Sequence, residues 1–286
     1  MNLATVKTYH RRVRAFLGRP LLIRQQNIVT LDTMDYCPNP IFVMGCHRSG
    51  TSLLRRILNS HGNIASPPET NYLVHFVEML KDEDSISGLS GLMDKTKIRT
   101  EVARLAFRFH EAFRIAKGKP RWADKTPQYV AYFEDLLNLA PSDTQFIVIF
   151  RNPFDIAYSI YNRGWRIEDL DDDLLVNSCL YVKKVVDKLC DISRIDGVYS
   201  LHYESMVEDP EGETKALCLF LGEPWDQAMI RPWDYEHNFG TEDPIARSRK
   251  KFEVSSRNWK ALSAEKQAAM SRVLGSLAES LGYSNI

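Results

Sequence analysis

Gly45-Cys46-His47-Arg48-Ser49-Gly50-Thr51-Ser52 joins an apolar run, Ile41 to Met44, to a stretch of helical spacing. A strand that passes through such a turn into a helix converges backbone N–H groups on one point, and the helix dipole favours negative charge there. Gly45 and Gly50 let the backbone come close to a ligand with no Cβ in the way. Arg48 adds a cation and Thr51 and Ser52 add hydroxyl donors, with His47 and Ser49 completing the anion-facing turn. The chemistry implied is the holding of a phosphate.

The turn departs from the triphosphatase pattern G-x-x-x-x-G-K-[ST] at an informative place. Thr51 stands where that pattern has its Lys, and the cation comes earlier, at Arg48. No apolar strand ending in a magnesium-holding Asp follows, so a triphosphate–magnesium site lacks two of its parts. A nucleotide whose transferred group is held without a metal is expected. His47, His61 and His75 are spaced by fourteen, which does not place metal ligands on one helical face, and no metal site is expected.

A second anion site is carried by FIVIFRNPFDIAYSIYNRGW. Arg151 directly follows a buried strand, Pro153 opens a helix, and Ser159 lies within that helix. The planar fork of an Arg and a Ser hydroxyl can reach one phosphate from two directions. A buried Arg151–Asp155 pair is the plainer reading, weakened by the phosphate turn on a neighbouring strand.

The elements that must position these residues alternate. Short apolar runs at Ile41 to Met44, Arg121 to Ala123, Gln145 to Phe150 and Val198 to His202 read as strands. Helical patterns lie at Ser52 to Ser60, Glu101 to Ala116, Asp155 to Tyr161, Leu174 to Ser193, Gly212 to Leu221 and Ala264 to Leu281. In the second of these, Leu105, Phe109, Ala112 and Phe113 share a face at core spacing. The expected fold is α/β, a P-loop-type central parallel sheet flanked by helices on both faces, with ligands at the carboxyl ends of the strands. With no repeat and no low-complexity linker, the whole of 1–286 is read as one domain, with an N-terminal extension over 1–38 and a core from about 39 to 286.

Composition sets the outer bounds. Lys plus Arg total 37 and Asp plus Glu total 37, which argues against a nucleic-acid or anionic-membrane protein. The five cysteines form no C-x-x-C pair and read as scattered reduced thiols. The basic start MNLATVKTYHRRVRAFLGRPLLIRQQ lacks the apolar run of a signal peptide, and no later stretch reaches transmembrane length. A cytoplasmic chain without stable membrane insertion is expected.

Together the two anion motifs resemble the PAPS-dependent sulfotransferase family (PAPS, 3′-phosphoadenosine-5′-phosphosulfate), in its bacterial and tyrosylprotein-sulfotransferase-like branch. GCHRSGTSLL looks like that family's 5′-phosphosulfate loop and RNPFDIAYS like its 3′-phosphate signature R-x-P-x-D-x-x-x-S. SPPET, WADKTP, LHYESMVEDPEG and LFLGEPWD continue the likeness in family order, so that it spans roughly Ile41 to Trp259. The resemblance implies transfer of a sulfuryl group from PAPS to an acceptor hydroxyl, with release of the desulfated product PAP and no metal. It makes Glu69, in SPPET, the general base, at the opening of the next helix where the dipole favours its ionised form. It makes Lys125 a point charge on the sulfuryl group, where the plainer reading is a surface Lys paired with Asp124, and Arg48 a contact of the 5′-phosphate and the leaving oxygen. Tyr203 would line the adenine pocket, and Ser256 and Arg257 would belong to a segment that closes over the 3′-phosphate. Arg151 and Ser159 would take that phosphate.

Two other readings stay open: a small-molecule kinase on the same loop architecture, and a non-catalytic PAP or nucleotide-binding protein that keeps the fold. The acceptor, a small molecule or a carrier-bound group, is expected between Tyr72 and Lys119 and between Gly164 and Val186, where Tyr72, Phe76 and Trp165 suit a sugar, lipid, phenol or acyl chain equally. Oligomeric state is not encoded in any motif.

Overall fold

Five strands pair into one all-parallel sheet in the computed structural model, which describes residues 37–237, 240, 247–248, 250–253 and 258–283. β1 (Ile41–Gly45) is central, and every residue of it is buried. It pairs with β3 (Arg121–Lys125) on one side and β4 (Gln145–Phe150) on the other, with Val43 level with Lys125 and with Ile147. β2 (Ile64–Ala65) lies outside β3 and β5 (Val198–His202) outside β4, giving the order β2-β3-β1-β4-β5. The four expected strands are all present. β2 is a two-residue addition that no pattern announces.

A strand buried on both faces must supply two cores, and alternation along β1 and β4 does so. Phe42, Met44, Phe146 and Val148 face one layer, while Ile41, Val43, Ile147 and Ile149 face the other. The first layer is closed by α4 (Lys95–Ala116), α6 (Pro153–Tyr161), α7 (Leu174–Ser193) and α10 (Ala264–Ser280). The second is closed by α1 (Thr51–Ser60) through Leu54, Ile57 and Leu58, and by α9 (Pro210–Leu221) through Leu217 and Leu221. Shorter helices α2 (Leu73–Lys81), α3 (Glu83–Ser90), α5 (Phe133–Leu139) and α8 (Tyr203–Glu208) fill the connections. Among the described residues no helix is long and apolar enough to cross a membrane.

Local chemistry explains where the site-bearing helices begin. Pro153 occupies the first turn of α6, and the Asn152 side chain accepts from the Phe154 amide at 2.9 Å. Asp173 caps α7 by accepting from the amides of Leu175 and Val176.

The buried face of α4 is not the expected one. Leu105 is 50% and Phe109 63% exposed, while Val102, Ala106, Phe107, His110 and Glu111 turn inward. Polar residues can hold the core face because the interior offers them partners. Glu111 accepts from the Trp122 indole at 2.8 Å, from the Cys37 amide at 3.0 Å and from Arg114 Nε at 2.6 Å. Glu111→Ala strips these buried donors of their acceptor, so the unfolding free energy should fall by about 3–5 kcal/mol in urea denaturation.

Candidate active site

The turn after β1 is set by close packing. A Cβ on Gly45 would lie 2.6 Å from Thr51 Cγ2 and 2.7 Å from Ile149 Cγ2. Gly50, the residue that precedes α1, has φ 98°, and a Cβ there would lie 2.4 Å from the Tyr203 ring. Arg48 is also left-handed, at φ 69°. The Ser49 hydroxyl is buried without a hydrogen-bond partner among the described residues, and Thr51 is buried beside it. The amides of a helix's first turn have no intrahelical acceptor, so the start of α1 presents donors to an anion.

β4 ends level with β1, Ile149 beside Gly45, and this brings Arg151 to the turn. Arg151 Nη1 donates to the Arg48 carbonyl at 2.7 Å. Arg48 Nε in turn donates to Ser159 Oγ, on α6, at 3.1 Å. Two motifs more than a hundred residues apart thus form one cradle. The Arg151 guanidinium also lies over the Tyr203 ring, 4.6 Å from its centroid. Arg48 has an aromatic neighbour as well, Trp165 at 5.8 Å.

The end of β3 divides its labour by pleat. Asp124, fully buried, accepts from Thr70 Oγ1 at 2.6 Å and Thr126 Oγ1 at 2.8 Å, and meets His110 Nε2 at 2.6 Å. Lys125 projects the other way and is 2% exposed, so it is neither a surface residue nor the partner of Asp124. Its ammonium meets the Glu69 carboxylate and lies 3.4 Å from Ser52 Oγ at the start of α1.

Glu69 does not open a helix. α2 begins at Leu73, and Glu69 sits ahead of it outside any helix or strand, with Asn71 left-handed at φ 54°. The helix cannot start earlier because Thr70 is tied elsewhere. Its amide donates to Thr126 Oγ1 at 3.1 Å, its hydroxyl donates to Asp124, and the Tyr129 hydroxyl bridges it to the Leu73 amide. Glu69 is therefore placed by the end of β3 and faces Lys125, not a helix dipole.

His47 is half-buried, with Nδ1 2.6 Å from the Tyr181 hydroxyl on α7. Burial pushes its pKa down; the Glu69 carboxylate opposes this, and the Lys125 and Arg48 cations reinforce it. The turn after β1, the end of β3 and the end of β4 together gather Arg48, Lys125, Arg151, Glu69 and His47 at the carboxyl edge of three adjacent strands. Ser256 and Arg257 lie outside the described residues. Among those described, no group of three or more His, Cys, Asp or Glu is placed to hold a metal ion.

Cations aimed at one cradle, with a carboxylate alongside, suit group transfer from an anionic donor. Residues 40–227 match the model of a sulfotransferase family. The chain belongs to the sulfotransferase family.

The nodulation protein NoeE of Sinorhizobium fredii is 32% identical over 140 residues, 44% of this chain and 32% of its own length. Protein-tyrosine sulfotransferase 1 of Danio rerio is 25% identical over 197 residues, 66% of this chain and 55% of its own. The chain thus spans from a third to about half the length of these curated relatives. The sulfotransferase domain of the Synechococcus PCC 7002 olefin synthase has the same fold, with a TM-score of 0.63 at 20% identity, covering 88% of this chain and 98% of that one.

Tyr203, expected to line the adenine pocket, opens α8 directly after β5. It is 1% exposed, and its hydroxyl donates to the Glu253 carbonyl at 3.2 Å. The supporting set around Asp124 (Thr70, His110, Thr126 and Tyr129) was not picked out by sequence reasoning. Alternation along β3, which must send Asp124 and Lys125 to opposite faces, is the signal that could have found it.

Proposed function

We propose that this sulfotransferase-family chain moves a sulfuryl group from PAPS to an acceptor hydroxyl and releases PAP, with Glu69 as general base and without a metal. The observation that carries the reading is the junction of the two anion motifs, in which Arg151 holds the Arg48 carbonyl and Arg48 reaches Ser159. The donor fits the residues present. The buried Ser49 hydroxyl has no partner among the described residues and can donate to a phosphate oxygen. Arg48, Ser49, Gly50, Thr51 and Ser52 would hold the 5′ side, and Arg151 with Ser159 the 3′-phosphate.

The donor supplies the sulfuryl group; the chain supplies charge, position and a proton acceptor. The Lys125 ammonium, held against Glu69, places positive charge where a sulfuryl oxygen would sit. Glu69, 29% exposed, is the carboxylate beside that ammonium and takes the proton from the acceptor hydroxyl. Half-exposed aromatics flank the site. Tyr72 has Phe76 and Phe109 edge-on at 6.1 and 5.1 Å, and Trp165 is 39% exposed next to Arg48. They support an acceptor with an apolar or ring-bearing body. The five free cysteines support a reducing, cytoplasmic location.

PAP should raise the melting temperature by several degrees without magnesium, and labelled PAPS should transfer its group to a hydroxyl acceptor equally well in EDTA. Stabilisation by ATP with magnesium in place of PAP would move the chain to the kinase reading. Loss of transfer in EDTA would reveal a metal requirement.

A further inference from the structure

His47 stands in the phosphate turn, and its ring is held by Tyr181 from α7, a helix that lies outside that turn in sequence. Tyr181, on α7, is 5% exposed and places its hydroxyl 2.6 Å from His47 Nδ1. A buried phenol O–H needs an acceptor. Nδ1 is the one the Tyr181 oxygen meets among the described residues. Tyr181 therefore donates, and the imidazole carries its proton on Nε2.

The two nitrogens lie on opposite sides of the ring, so Nε2–H faces away from Tyr181. It makes no hydrogen bond to a described residue. The charges that act on the ring are Glu69, Lys125 and Arg48, the groups assigned above to proton removal and to the transferred group. Burial and the two cations lower the ring's pKa and so favour the neutral form, which offers one directed donor.

We propose that His47 is a binding residue for the transferred sulfuryl group, its Nε2–H donating to a sulfuryl oxygen, and that Tyr181 is the positioning residue that fixes the ring and its tautomer. This rests on the PAPS reading above. It goes beyond it by separating the transferred group's contacts from those of the nucleotide, since PAP lacks the sulfuryl group and PAPS carries it.

Calorimetric titration of PAPS and of PAP, with no acceptor present, tests the assignment. In His47→Asn, whose amide falls where Nδ1 was, PAPS affinity should drop about tenfold while PAP affinity stays within about twofold. His47→Gln, whose amide nitrogen reaches the Nε2 position, should recover most of the loss. Tyr181→Phe should weaken PAPS alone, by about threefold, with intact PAP binding as the check on folding. Nitrogen NMR of the wild-type ring should report the Nε2–H form. Equal losses for PAPS and PAP would show that His47 only packs the turn, and no loss for either, or an Nδ1–H ring, would also overturn the proposal. If the wild type bound neither nucleotide, the donor reading itself would fail, an outcome distinct from any of these.

Discussion

Glu69→Gln should lower the turnover number for sulfuryl transfer about a thousandfold while PAP binds as before. The substitution keeps shape and leaves an oxygen for Lys125, so the ion pair's geometry can persist as a hydrogen bond. What it removes is the carboxylate proposed to accept the proton. Stopped assays with labelled PAPS and saturating acceptor read the rate, and calorimetry with PAP reads the nucleotide site. Near-normal sulfation by the variant would place the base elsewhere. The result bears on family logic too. Glu69 is held not by a helix dipole but by the end of β3, through Thr70, Thr126 and Asp124, so its position depends on a strand that also delivers Lys125.

Arg151→Ala should weaken PAP binding about a hundredfold, the equivalent of one or two charge-assisted hydrogen bonds to phosphate. The same guanidinium also holds the Arg48 carbonyl, so part of the loss would come through the turn after β1. Arg151→Lys separates the contributions, because Lys keeps the charge but not the fork that can serve a phosphate and a carbonyl together. Calorimetric affinity unchanged in Arg151→Ala would remove the 3′-phosphate assignment.

Much of this was readable in the amino-acid order. The run Phe146 to Phe150 is apolar on every residue, which is how a strand covered on both sides must look, and it is β4. Leu174 to Ser193 emerges with the same ends because Asp173 is a local cap. Arg48 and Arg151 meet because each follows closely on a strand end whose partner is fixed by the sheet, and α6 carries Ser159 to Arg48. Other features depend on distant partners. Ser-Pro-Pro-Glu-Thr ahead of an apolar pattern reads as a helix start, and only Asp124, far along the chain, shows why Thr70 cannot join one. Lys125 beside Asp124 reads as a surface pair until pleating sends the two apart. On α4 the apolar stripe of Leu105 and Phe109 faces outward because His110 and Glu111 find their partners inside.

One ring has a consequence for both halves of the cradle. Tyr203 lies at the edge of Gly50 and under the Arg151 guanidinium, so a side chain added at position 50 must push the ring that the arginine rests on. The two halves should therefore be thermodynamically coupled. In a double-mutant cycle, changes at Gly50 and Arg151 should not add, and a lesion in the 5′ turn should be felt as lost grip on the far end of the nucleotide.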